Sequence, residues 1–382
     1  MTREIRVLHV INSLGAGGAE VSLAEMLPLL DDLGITNEIV CLEVKPEGVH
    51  RQLEEAGRRI HVVGGHPVTS ARRIRQLIRA GTDIVHTTLF EADVFGRVAA
   101  AGLPARVLTS LVNTTYDGVR RADSAIPTWK LATVKQIDAV TARRLTDRFH
   151  ALTSAVKESA VEHLGVPPDS ITVIERGRSR ARLGEPSAAR RAAVRARLDL
   201  DDDAEVVLNI GRQEPQKDQA ALLRAMAEIA PTRPRLVLVQ AGREGKSSPG
   251  LRELAVRAGL AGRVRFLGHR DDVGDLLAAA DVFAFPSVYE GLGGSVIEAM
   301  AMAVPIVVSD APALVEVVEH GRAGAVVPVG DHEALAAALQ LLLDDRAHAA
   351  QLVSQASRVF LDRFTLERSA ERMAALYREL AT

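Results

Sequence analysis

The chain has 382 residues, 47% of them hydrophobic but only 3% aromatic, with a formal charge of −2. That length suits two domains of roughly 150–200 residues, and the near-neutral balance excludes a broadly basic nucleic-acid-binding surface. The one cysteine, Cys41, excludes an internal disulfide or a cysteine-rich zinc site.

No apolar run approaches the 18 or so residues of a membrane span. The start, M-T-R-E-I-R-V-L-H-V, lacks the apolar region of a signal peptide, so a cytoplasmic chain is expected. Arginine outnumbers lysine 41 to 6, which singles out each lysine that is retained.

Strand 5–11 runs into Asn12–Glu20, a turn carrying Gly15, Gly17 and Gly18, and then a helical pattern through Leu33. Unhindered amides between a strand and a helix can cradle a phosphate. The G-x-G-G spacing is not the dinucleotide fingerprint, and a ligand-free tight turn explains it equally well. Strands follow at 37–42, 60–63, 83–86, 106–110, 149–153 and 171–174, with helices near 48–56, 69–80, 91–101 and 155–164. Helix 69–80 carries Arg72, Arg73, Arg75 and Arg79 around an apolar stripe. The stripe reads first as a core face, and second as a peripheral contact with anionic lipid at the inner face of a membrane. The segment from Trp129 to about Arg148 reads as helix, and the domain boundary falls at 183–186.

Alternation resumes with strand 205–210 and the loop Gly211-Arg212-Gln213-Glu214-Pro215-Gln216-Lys217. Strands 235–240 and 264–267 come next, the latter ending at Gly268-His269. Residues 282–310 then read strand, glycine loop, helix, strand: a βαβ unit with Glu290, Gly293, Gly294, Ser295 and Glu298 at its centre. Its loop lies at the C-terminal edge of a parallel sheet, where open α/β folds place their ligands. Arg212 and Lys217 suit a diphosphate, Arg as a two-pronged donor and Lys as a point charge. The amides of Gly293, Gly294 and Ser295 add donors at a helix N-terminus. Glu290 and Glu298 suit sugar hydroxyls. The fold class is α/β, two Rossmann-like doubly wound domains facing across a cleft.

Glu290 and Glu298, in E-G-L-G-G-S-V-I-E-A-M-A, resemble the E-x7-E signature of family-4 retaining glycosyltransferases of the GT-B fold. So do G-R-x-x-x-x-K at 211–217, F-L-G-H-R-D-D-V at 266–273, A-D-V-F-A-F-P-S at 280–287 and G-x-x-G-x-V-V-P at 321–328, with G-G-A-E at 17–20 and D-I-V-H-T at 83–87. The resemblance implies an N-terminal acceptor-side domain over 1–183, a nucleotide-sugar domain over 184–365, and a helix over 366–382 returning to the first. It implies transfer of a sugar from a nucleoside-diphosphate sugar to a hydroxyl on a polysaccharide, lipid-linked or small-molecule acceptor, without a cofactor. Catalysis would fall to Arg212, Lys217 and Glu290: the cations and Gly211 on the diphosphate, Glu290 on the donor sugar. Glu298 would hold the ribose, and the 268–272 loop, beginning with Gly268 and His269, the base. Gly15, Gly17 and Gly18 would approach the diphosphate from the other side of the cleft.

Two positions depart from the family pattern. Val112 stands where relatives often carry a histidine, and E-R-G at 175–177 replaces P-N-G. No D-x-D run stands where a metal-bridged diphosphate would need one, so metal independence is expected. Three rivals are weighed: a GT-B-fold sugar-nucleotide epimerase or hydrolase, a non-catalytic sugar-nucleotide-binding partner, and an NAD-dependent oxidoreductase using Gly15–Gly18 and Glu43.

Overall fold

The computed structural model describes residues 4–45, 47–117 and 127–382. The chain divides into two compact units, Met1–Gly177 with Leu366–Thr382, and Arg178–Thr365. In the first unit, strands β1 (Ile5–Ile11), β2 (Ile35–Cys41), β3 (Ile60–Val62), β4 (Ile84–Thr88), β5 (Arg106–Leu111), β6 (Arg148–Ala151) and β7 (Ile171–Val173) form a sheet in the order β3-β2-β1-β4-β5-β6-β7. All its pairings among the described residues are parallel. Helices α1 (Gly18–Asp32), α2 (His50–Glu55), α3 (Pro67–Arg79), α4 (Phe90–Ala100), α5 (Thr128–Leu145) and α6 (Ser154–Leu164) make the crossovers. A sheet covered on both faces needs strands that are apolar almost throughout, and in β1 only Arg6 is exposed. Local chemistry sets the helix ends. The Thr153 hydroxyl accepts the Val156 N–H at 3.2 Å to begin α6, and Gly165, left-handed at φ 66°, ends it.

The helix expected from Trp129 to Arg148 stops three residues earlier, at Leu145, and Arg148 opens β6. Asp147 is the reason. Its N–H donates to Val107 O at 2.9 Å and its carboxylate accepts the Val107 N–H at 2.7 Å, drawing the chain into the sheet. Behind the sheet, Arg97 is 1% exposed and donates to Asp138 Oδ1 at 2.7 Å, while Tyr116 donates to Asp138 Oδ2 at 2.8 Å. Asp138→Ala strips a buried guanidinium of its charge partner. It is expected to lower the stability of this unit by about 3–5 kcal/mol, read from the urea midpoint; a loss below about 1 kcal/mol would show that the pair is idle.

In the second unit, β8 (Glu205–Ile210), β9 (Leu236–Ala241), β10 (Val264–Gly268), β11 (Val282–Phe285), β12 (Ile306–Ser309) and β13 (Ala325–Val327) are ordered β10-β9-β8-β11-β12-β13. Around them lie α7 (Arg180–Leu183), α8 (Ala188–Arg197), α9 (Gln219–Ile229), α10 (Ser248–Arg257), α11 (Val273–Ala279), α12 (Gly294–Ala301), α13 (Pro312–Val317), α14 (His332–Asp344) and α15 (Arg346–Val359). Val207, Leu222, Met226, Leu238, Val282 and Leu339 are among the side chains that fill one face of this sheet. The unit begins at Arg178, six residues before the expected 184. Residues 178–183 are held within it: Leu183 O accepts from Arg190 Nη2 at 2.8 Å and lies 2.0 Å from where a Cβ of Gly274 would stand.

The closing helix, α16 (Leu366–Ala381), belongs to the first unit. Ala370, Met373, Tyr377 and Leu380 pack there on Ile5, Val7, Ile84 and Leu108. Tyr377 also ends a buried chain of hydrogen bonds. His150 Nε2 donates to Ile174 O at 2.7 Å, so its Nδ1 must accept the Ser110 hydroxyl, at 2.9 Å. Ser110 in turn accepts from His86 Nε2 at 2.7 Å, and His86 Nδ1 accepts the Tyr377 hydroxyl at 2.6 Å. One carbonyl thus fixes both tautomers, and the chain closes only with neutral imidazoles.

Candidate active site

The second sheet reverses its strand order between β8 and β11, the place where open α/β folds form a ligand crevice. The loop after β8, residues 211–218, and the loop after β11, residues 286–293, meet there. Val288 N–H donates to Gln216 O at 2.8 Å, and the Gln216 side chain donates to Tyr289 O at 2.7 Å. The neighbouring strand ends join the same rim. Gly211 N–H donates to Ala241 O at 2.9 Å, and Gly242 N–H to Gly268 O at 2.7 Å. Gly242 sits at φ 142°, and a Cβ there would lie 2.0 Å from Gly211 O, so the rim closes only around glycine.

On this rim the Lys217 ammonium is ion-paired with Glu290, and both side chains are largely buried. The ammonium also lies 4.8 Å from the centre of the Phe285 ring, and its stem runs beside Gly211. Arg212 is exposed at the loop's outer edge, its carbonyl held by the Gln219 side chain at 2.9 Å. The expected diphosphate cations therefore differ: Lys217 is set against an acid, and Arg212 faces solvent.

Gly293, left-handed at φ 88°, starts α12, and a Cβ on it would meet Leu314 at 2.6 Å. Its carbonyl accepts first from Val296 N–H at 2.9 Å, so the N–H groups of Gly294 and Ser295 precede the helix's own acceptors. Glu298 follows one turn later, 9% exposed, with Oε1 3.1 Å from Arg178 Nε. Gly268 is left-handed at φ 67°, and His269 beside it is exposed, 3.4 Å from Asp271.

The structure thus gathers Gly211, Lys217 and Glu290 at the crevice, with Gly293, Gly294, Ser295 and Glu298 along the helix that the same loop feeds. Gly268 and His269 lie on the adjoining rim. In the first unit, Gly15 is buried against Gly48; an added Cβ at Gly48 would lie 2.3 Å from Gly15 C, so the close approach demands glycine at 48, whereas a Cβ at Gly15 would meet only ordinary contacts from 3.5 Å outward. Gly17 and Gly18 are exposed at the start of α1. Glu43 pairs with Lys45 at 2.6 Å, and Val112 follows β5 in a half-buried position. Gln216 and Arg178 were not among the expected site residues. Gln216 stands inside the quoted 211–217 motif, whereas Arg178 is 120 positions from Glu298, and no local pattern links them.

Two family models divide the chain between them. Residues 16–182 match "Glycosyltransferase Family 4", and residues 190–359 match "Glycosyl transferases group 1". The chain belongs to the family-4 glycosyltransferases of the GT-B fold. Among its relatives is a D-inositol 3-phosphate glycosyltransferase of Rhodococcus jostii, 35% identical over 61% of this chain and 52% of that protein. In the Rhodococcus proteins the matched stretch thus spans about half of the relative's length. A Thermobispora bispora protein of the same name is 29% identical over 95% of this chain and 90% of its own. The fold is shared with Anabaena HepE, solved with UDP and also with UDP-glucose. The UDP complex superposes with a TM-score of 0.86 at 22% identity, covering 98% of this chain and 100% of that one. Among the described residues no helix of this family member is long and apolar enough to cross a membrane.

Proposed function

We propose that this family-4 glycosyltransferase moves a sugar from a nucleoside-diphosphate sugar to a hydroxyl acceptor, with retention at the anomeric carbon. The reading is carried by the Lys217–Glu290 pair, a cation and a sugar-binding acid held at the β8/β11 crevice beside the amides that open α12. Lys217, Arg212 and the amides of Gly294 and Ser295 neutralise the departing diphosphate, where negative charge grows as the glycosidic bond breaks. Glu290 accepts from hydroxyls of the donor sugar and Glu298 from those of the ribose. The departing phosphate oxygen takes the acceptor's proton on the face it leaves, so no protein base and no metal is required.

UDP-glucose is the first donor to test, because Anabaena HepE was solved with it. D-inositol 3-phosphate is the first acceptor, because relatives are named for it. UDP, GDP, ADP and TDP and their sugars are screened by thermal shift, followed by product stereochemistry in the presence of EDTA. At least one diphosphate is expected to raise the melting temperature, and the product is expected to retain configuration. If no nucleotide shifts the wild type, the transferase reading fails. Release of free sugar or an epimerised nucleotide sugar would favour the hydrolase or epimerase.

A further inference from the structure

Arg178 is the first residue of the second unit, and its backbone is fixed there. Its N–H donates to Phe364 O at 2.9 Å, and it forms a parallel bridge with Thr365. From this anchor its side chain reaches α12, placing Nε 3.1 Å from Glu298 Oε1, with both side chains nearly excluded from water. The guanidinium passes directly over Gly294. A Cβ at that position would stand 1.9 Å from Arg178 Nη2 and 2.9 Å from Cζ. Gly294 has no positive φ to justify a glycine, and glycine weakens a helix by roughly 0.5–1 kcal/mol relative to alanine. Its missing side chain is what admits Arg178.

We propose that Arg178 is a positioning residue for the donor nucleotide: through the gap at Gly294 it holds the Glu298 carboxylate in the orientation that receives the ribose hydroxyls. This inference rests on the nucleotide-sugar reading of the site and adds a residue to it. The chemistry favours such an arrangement. A carboxylate buried on a helix keeps its charge and its rotamer only with a cation beside it. An ionised carboxylate accepts several hydrogen bonds at once, and the fixed guanidinium sets the angle at which this one meets the vicinal 2′- and 3′-hydroxyls. A hydrogen bond to a charged group is worth about ten- to a hundredfold in affinity, so the orientation has a measurable reach.

The test measures, by calorimetry, the affinities for UDP and for 2′-deoxy-UDP, with GDP, ADP and their deoxy forms alongside. Wild type is expected to prefer the ribonucleotide by about tenfold or more. Arg178→Ala is expected to lose most of that preference, while Arg178→Lys, which restores a charge without the fork, recovers part of it. Gly294→Ala reaches the same site by another route. It favours the helix but collides with Nη2, so it too is expected to erode the preference. In an Arg178→Ala background the collision partner is gone, and Gly294→Ala is then expected to leave the ratio of the two affinities where Arg178→Ala put it, whatever it does to nucleotide binding as a whole. A general loss of fold would weaken both nucleotides alike and leave their ratio intact. If wild type distinguishes ribose from deoxyribose and Arg178→Ala does so equally well, the positioning role is refuted and the transferase reading stands. If wild type binds none of the diphosphates, both are refuted.

Discussion

Lys217→Ala is expected to lower turnover by about 10²–10³-fold, the cost of removing one preorganised donor from a developing anion. The ammonium is held on a rim closed by backbone hydrogen bonds, beside the Phe285 ring and against Glu290. In the proposed mechanism such a charge would need no reorganisation as the diphosphate departs, so its loss is expected to fall on kcat more than on KM. Its partner should behave differently. Under the proposed mechanism Glu290→Ala would remove the acceptor assigned to the donor sugar; it also releases Lys217 from its ion pair, so affinity for the bare nucleoside diphosphate is expected to hold or rise. The nucleotide sugar, by contrast, should lose both its binding advantage and its turnover. Steady-state kinetics and calorimetry on the two variants separate these outcomes. If turnover in Lys217→Ala stays within a few-fold of wild type, the pair is a structural ion pair and the leaving-group assignment is wrong.

How much of this was legible before the fold depends on the range of the interaction. Strands such as Glu205–Ile210 and helices such as Gln219–Ile229 were readable because parallel strands buried on both faces leave continuous apolar runs, and their turns carry glycine or a cap. The E-x7-E stretch was readable because Glu290 and Glu298 share one loop and helix. The end of the Trp129 helix was misread because Asp147 pairs with a strand 40 residues away. The approach of Gly48 to Gly15, which demands glycine at 48, spans 33 residues, and nothing in G-A-G-G indicates it. Arg178 and the Tyr377–His86 contact join positions 120 and 291 residues apart. No spacing rule reaches that far; only the sheet order brings such residues together.

Lowering the pH is expected to loosen the first unit well before carboxylates titrate in bulk. Burial holds His9 at about 4 and His150 at about 3, and pushes His86 well below its ordinary value. For His86 the neighbouring His9, His150 and Arg176 act in the same direction. Arg176 and Arg372 add to the effect at His150, while its bond to Ile174 O and the charge of Glu175 oppose it, as Asn37 and Asp31 do at His9. These imidazoles bind protons more weakly in the folded chain than in the unfolded one. Their contribution is therefore complete above pH 6.5 and is lost as pH falls from there towards 4 and then 3. For His9 alone, the drop from 6.5 to about 4 corresponds to on the order of 3 kcal/mol. The structural consequence follows from the tautomers. A proton on His86 Nδ1 faces the Tyr377 hydroxyl that was donating to it, so the bond tying α16 to the sheet must reverse or break. Hydrogen exchange, corrected for its intrinsic pH dependence, should show protection falling together over Ile5–Ile11, Ile84–Thr88 and Leu366–Ala381 between pH 6.5 and 4. Tyr377→Phe should lower that protection at pH 7.5 and flatten its fall with acid, because one member of the chain is already missing. Uniform protection across that range in the wild type would mean that the imidazoles carry no such coupling.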